Sequence, residues 1–328
     1  MATLRRWLSR RKTSFMKRVS NVSNFNQNLA TWRTSIFLRA TLAGTYEIDT
    51  SLSVDEFAER LADIYINKLF IYCQSGFFRG VVDTFKQIEQ IVKTNPNSDL
   101  AIQCDVIFQK LANQRDATCF NRNLLHHAAA KGHLSIVQFL VEKIRCDIFA
   151  VDSQFQSTCL HLSSQFGHSK VSKYLISWNQ YLLSCRDQKQ MTPFEILCSH
   201  GDAEMVEFIL ENSLIPKSNH LECDVEGTGL TPLLIASKKG YTQLVKVLVR
   251  HGANMEGRDV QNLGDTCLHL AALHGNTATV EFLIEEKPDL AWQTNDMDFD
   301  VFSYAKLAGR HEITTLLQRK LLTISNQN

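Results

Sequence analysis

The residues best equipped for chemistry in this 328-residue chain are its 11 histidines and 9 cysteines. Metal ligation needs several thiolate or imidazole donors converging on one point, and a C-x-x-C pair delivers two from a single turn. The cysteines instead run singly from Cys73 to Cys267, without such a pair. His126, His161 and His269 share a local pattern, N-L-L-H, T-C-L-H and T-C-L-H, that recurs along the chain. One histidine per recurrence places neighbours a structural unit apart, which argues against a shared ion. Signatures for nucleophilic, phosphate-binding and metalloprotease chemistry (G-x-S-x-G, G-x-x-x-x-G-K-[ST], G-x-G-x-x-G, H-E-x-x-H) are absent. No catalytic, metal or cofactor site and no small-molecule substrate are expected.

The elements that must hold these histidines follow from the stretch Leu230–Asp259, L-T-P-L-L-I-A-S-K-K-G-Y-T-Q-L-V-K-V-L-V-R-H-G-A-N-M-E-G-R-D. Thr231-Pro232 suits a helix start, because proline's missing N–H is not needed in the first turn. Gly240 permits the positive φ at which one helix ends and an antiparallel one begins. Leu244, Val245, Leu248 and Val249 recur at helical spacing. Related stretches begin at Asn123, Thr158, Thr192, Thr266 and Asp300, so the six starts are separated by 35, 34, 39, 35 and 34 residues.

This pattern resembles the ankyrin repeat, with a period of about 33 residues. The resemblance covers residues 117–318. It implies an all-α solenoid of paired antiparallel helices with hairpin fingers, about six repeats long, behind a helical N-terminal region. It also implies a role for the turn histidines, tying backbone groups within and between repeats. Glu195 and Leu234 occupy that position in the third and fourth copies, so those turns are expected to lack the tie and to be softer. Cys159 and Cys267 stand where proline is usual and are expected to act as small apolar residues.

Composition adds boundaries. Residues 1–46 carry nine Lys and Arg and no acid, leaving 26 basic and 34 acidic residues in the remainder, near −8. The domains expected are a basic segment 1–51, a helical cap 52–116 that includes a degenerate repeat around Gly76, the array 117–320, and a frayed C-terminus 321–328. Within the cap, Ser53 and Glu56 read as a capping box, Thr94-Asn95-Pro96-Asn97-Ser98 as a turn, and Asp99–Leu111 as a helix. The basic segment fits a mitochondrial transit peptide, a helix lying on an anionic membrane through residues 1–40, or a solvated tail open to basophilic kinases. Nucleic-acid binding is not expected, because no aromatic platform accompanies the charge. An odd cysteine count without a signal peptide, and no apolar run long enough for a span, point to a cytoplasmic protein with reduced thiols.

The resemblance implies a binding surface, formed by the fingers and by the concave face of each repeat's first helix. The finger tips supply Phe155, Gln156, Lys189, Gln190, Val260 and Gln261. The residues before the turn glycines supply Gln165, Phe166, His200, Lys238, Lys239, Leu273 and His274. Phe166 and Leu273 stand out as apolar side chains expected to be exposed, the kind that anchors an interface. The function expected is a non-enzymatic adaptor holding partner proteins. The alternatives are a peripheral membrane or mitochondrial protein acting through its basic N-terminus, and an effector using the array for substrate capture.

Overall fold

The computed structural model describes residues 54–94, 104–212, 214, 221–222, 229–261 and 263–325. These form helices, with only isolated β-bridges besides. They fall into two compact units, one of residues up to 72 with 77–114, the other of 73–76 with 115 onward.

The first unit is built on α1 (Val54–Ser75), α2 (Phe78–Thr94) and α3 (Cys104–Ala112). Leu69, Ile88, Ile107 and Leu111 are fully buried there, and Phe85 meets Phe108 edge-on at 5.4 Å. The turn at Gly76 breaks the helices where the repeat-like pattern places it. The capping serine Ser53, the turn residues 95–98 and the start of the helix expected from Asp99 lie outside the described residues. Within them that helix begins at Cys104.

The second unit contains six helix pairs: α4 (Leu124–Ala130) with α5 (Leu134–Glu142), α6 (Cys159–Gln165) with α7 (Ser169–Trp178), α8 (Pro193–His200) with α9 (Ala203–Glu211), α10 (Pro232–Lys239) with α11 (Thr242–Arg250), α12 (Cys267–His274) with α13 (Thr277–Glu286), and α14 (Val301–Leu307) with α15 (His311–Ser325). Each first helix starts from a side-chain cap at Asn123, Thr158, Thr192, Thr231, Thr266 or Asp300. These caps satisfy N–H groups that the helix itself leaves bare. Pro232 occupies the opening turn of α10, and Gly240 closes that helix at φ +74°.

Packing follows from the apolar stripes. First helices stack on one another from α4 through α14, and the second helices pack in a second row, α5 on α7 and α9 through α15. Leu160, Leu175, Val206, Leu244, Val280 and Leu283 are sealed in this two-row core. Each such side chain contributes roughly 1.5–3 kcal/mol on burial. No pair could retain that burial alone, because each repeat's apolar face is covered by its neighbours. The turn at Gly201 illustrates the closeness: a Cβ there would lie 2.7 Å from the Tyr241 ring of the next repeat.

Most of the insertion between the third and fourth repeats, 215–220 and 223–228, lies outside the described residues. At the other end α15 continues to Ser325, five residues beyond the array boundary expected at 320. The run K-L-L-T-I contains no glycine or proline to stop the helix.

Candidate functional site

The turn histidines are structural ties. His161 accepts from Thr158 N–H at Nδ1 (3.2 Å), and its Nε2 lies 3.2 Å from the Met191 carbonyl of the next repeat. His126 reaches Ser157 O (3.1 Å) and His269 reaches Phe299 O (3.0 Å) in the same way. In His161 and His269 a proton on Nε2 and a lone pair on Nδ1 satisfy both contacts, so the neutral ring fits, while in His126 Nδ1 lies 2.5 Å from Asn123 Oδ1. Burial accordingly pushes the pKa values of all three down, His126 to about 4. Glu195 corrects the expectation of a lost tie in the third repeat. Its Oε2 accepts from Thr192 N–H at 2.8 Å and keeps the local half of the bond. In the fourth repeat Leu234 offers no polar group, and its own N–H donates to Thr231 Oγ1 at 3.4 Å.

One further cluster brings possible metal ligands together: Asp116, Cys119 and His127, with ligand atoms within 4.8 Å of one another. Its hydrogen bonds describe a fold contact. Gln74 Nε2 lies 3.2 Å from His127 Nδ1, which leaves the ring proton on Nε2, 3.1 Å from Asp116 Oδ2. The other Asp116 oxygen accepts from Thr118 N–H and its hydroxyl at 3.0 and 2.6 Å. Burial lowers the His127 pKa and favours this neutral form.

The buried thiols behave as the sequence implies. Burial raises the Cys159 and Cys267 pKa values to about 12, and each donates to a carbonyl, Ile148 O or Met255 O. They are inert as nucleophiles at neutral pH. All eight described cysteines are free.

The fingers are held by carboxylates that the sequence reading missed. Asp152 Oδ1 accepts from Phe155 and Ser157 N–H at 3.0 and 3.1 Å, and Asp187 Oδ1 accepts from Lys189 and Met191 N–H at 2.9 Å each. The tips are then set in left-handed backbone, Gln156 at φ +53° and Gln190 at +64°. Adjacent fingers are stitched by Ser153 N–H to Phe120 O (2.8 Å) and Gln188 N–H to Phe155 O (2.7 Å). The available signal was the acid that recurs five to seven residues before each turn: Asp116, Asp152, Asp187 and Asp259.

Between the second and third repeats this framework leaves a notch of about 160 Å³ lined by Phe155, Ser157, Gln165, Lys189, Ile196 and His200, among others. Four of these were singled out from the sequence, and they come from two fingers and the ends of α6 and α8. His200 Nδ1 lies 2.9 Å from Ile196 O, which orients the ring at the rim. Gln156, Gln190, Gln261 and Val260 are exposed at the tips, and Lys238, Lys239 and His274 at the ends of α10 and α12. Phe166 is 53% exposed. Leu273 is a correction: it is only partly exposed, because α14 packs on α12 and Arg310 Nε bonds the Leu273 carbonyl at 3.0 Å. The sequence reading also missed Trp178 and Tyr181, 51% and 70% exposed beside a hollow of about 450 Å³ at the end of α7. That hollow has no charged side chain among its described lining residues.

A family model described as ankyrin repeats matches residues 98–183, 125–220, 179–259 and 196–298. The chain belongs to the ankyrin-repeat family. Among solved structures, the ankyrin repeat domain of Bcl-3 superposes with a TM-score of 0.54 at 19% identity, covering 76% of this chain and 97% of that one. This likeness concerns the fold. Among curated relatives, the probable 26S proteasome regulatory subunit p28 of Saccharomyces cerevisiae is 27% identical over 199 residues, 60% of this chain and 84% of its own. The Drosophila melanogaster tyrosine-protein kinase Shark is 27% identical over 168 residues, and a transient receptor potential channel homologue of Caenorhabditis elegans 29% over 162. The chain spans only 17% and 12% of those two proteins. Ankyrin repeats generally mediate protein–protein interaction and are typically non-catalytic modules. Among the described residues no helix is long and apolar enough to cross a membrane.

Proposed function

We propose that this ankyrin protein is a non-enzymatic cytoplasmic adaptor, seating partner proteins on the first-helix row and the adjoining fingers. The observation that carries this reading is the notch where Phe155, Gln165, Lys189 and His200 converge, with Phe166 exposed at the end of the same helix. A small hollow of mixed polar and apolar lining, built on stitched fingers, needs little reordering on binding. The likeness to p28, named as a regulatory subunit and matched over most of its length, is consistent with work inside an assembly.

The test is site-specific photo-crosslinking in cells. A photoreactive residue at Gln165 is expected to trap protein partners, whereas one at Glu207 on the second-helix row is not. Phe166→Glu, checked for folding by circular dichroism, should abolish the Gln165 adducts. Equal trapping from both rows would refute the assignment. The basic segment 1–51, with its acid-free start, supports a second element that places the adaptor at a membrane or organelle. A reporter fused to these residues alone should then localise, and diffuse signal would remove that role.

A further inference from the structure

The two helix rows differ in how they carry charge. The six first helices contain one carboxylate, Glu195, which is buried in its cap. Their C-terminal ends carry Lys131, His200, Lys238, Lys239, His274 and Lys306, all exposed, and Arg310 follows. Among the described residues no carboxylate lies within ion-pair distance of Lys131, Lys238, Lys239, Lys306 or Arg310. On the second-helix row three of the six cations are paired with carboxylates: Lys173 with Glu204 at 2.6 Å, Arg250 with Glu207 at 2.5 Å, and Lys320 with Glu281 and Glu285, while Lys246 lies over the Phe282 ring.

A cation at a helix C-terminus is favoured by about 0.3–1 kcal/mol, and both rows use it, with Lys143 and Lys287 capping α5 and α13 and Arg250 in the last turn of α11. The rows differ in their carboxylates, which the first helices lack apart from the buried Glu195. The cations also stand in one line. His168 Nε2 bonds Ala130 O (3.0 Å), Lys239 Nζ bonds Ser199 O (2.6 Å), Asn276 Nδ2 bonds Ser237 O (2.8 Å) and Arg310 Nε bonds Leu273 O. Each contact clips the end of one first helix to the following repeat, so successive ends are neighbours. His274 faces Lys238 and Arg310 closely enough that, after burial, their charges further depress its pKa. Like charges gathered here without carboxylate partners among the described residues, on a body of net charge near −8, favour an anionic partner.

We infer that this line docks an extended acidic polypeptide segment, whose carboxylates meet Lys131, His200, Lys238, Lys239 and Arg310 while one of its apolar side chains enters the notch against Phe155 and Ile196. The inference rests on the reading of this face as the partner-binding surface and specifies the partner's chemistry. A polypeptide fits better than a nucleic acid. The line holds a single arginine, Arg310, already committed at Nε, where phosphate recognition favours free guanidinium forks. The notch is partly apolar, which suits an apolar peptide side chain rather than a phosphate backbone.

The experiment is fluorescence anisotropy with the full chain at low salt, using a fluorescein-labelled peptide of repeating Glu-Glu-Leu-Ser. The same peptide with Gln for Glu, the same with Ser for Leu, and oligothymidylate serve as comparators. The Glu/Leu peptide should bind tightest, and K238E/K239E should weaken it at least about tenfold. Lys131→Glu, further along the line, should weaken it in the same direction. The inference is overturned if the Gln peptide binds equally, if neither charge reversal matters, if no peptide binds at micromolar concentration, or if oligothymidylate binds tighter. Equal binding of the Gln and Glu peptides that Phe166→Glu abolishes would sink the acidic partner and leave the interaction face standing. Failure of the face itself is read separately, from equal crosslinking at Gln165 and Glu207.

Discussion

In the fifth repeat the turn Thr266-Cys267-Leu268-His269 sends its imidazole to Phe299 O in the next repeat. The equivalent turn of the fourth, Thr231-Pro232-Leu233-Leu234, places a fully buried leucine there. Both turns start a helix from a threonine cap, and both bury the three residues that follow it. One adds a polar bond across the repeat boundary, while the other relies on apolar contact and on proline's preset φ. The third repeat is intermediate, with Glu195 keeping the local bond. The same fold can thus be closed by different chemistry at one position, and the difference shows where the array should respond to acid.

The largest effect expected is on pH dependence. His126, His161 and His269 have depressed pKa values in the folded state, so as pH falls below about 6.5 the unfolded chain binds more protons than the folded one, for His126 down to about 4. Their stabilisation is complete above pH 6.5 and is lost as pH falls. For His126 alone the loss approaches about 3 kcal/mol by pH 4. Denaturant midpoints measured from pH 7.5 down to 5 should therefore fall, and a flat profile would contradict the buried neutral rings.

His161→Leu converts a tied turn into the fourth repeat's design. It strands the Met191 carbonyl and Thr158 N–H, and should cost about 1–3 kcal/mol at pH 7.5. It should also flatten part of the acid slope. A variant as stable as the parent would mean that the two turn designs are equivalent.

The smallest effect separates the caps. Thr266→Ala removes a hydroxyl 2.8 Å from His269 Nδ1 and should cost about 1–2 kcal/mol, whereas Thr231→Ala loses only a 3.4 Å contact and should cost about 0.5–1 kcal/mol. Equal losses in thermal unfolding would remove the distinction.

Much of this was legible in residue order, because helix starts, turn glycines and apolar stripes are local signals repeated six times. The histidine ties followed from the family pattern. The finger carboxylates, the partial covering of Leu273 and the exposure of Trp178 and Tyr181 were not legible. Each depends on a group brought in from another repeat or from across a loop.

By itself the sequence determined the helix pairs, their number and phase, and which faces had to be buried. Periodicity and capping are properties of short stretches, and they accumulate over copies. Tertiary structure decided which cations remain without carboxylates and which side chains share the notch. Those facts depend on stacking: residues some 35 positions apart, such as Gln165 and His200, become neighbours only when one repeat packs on the next.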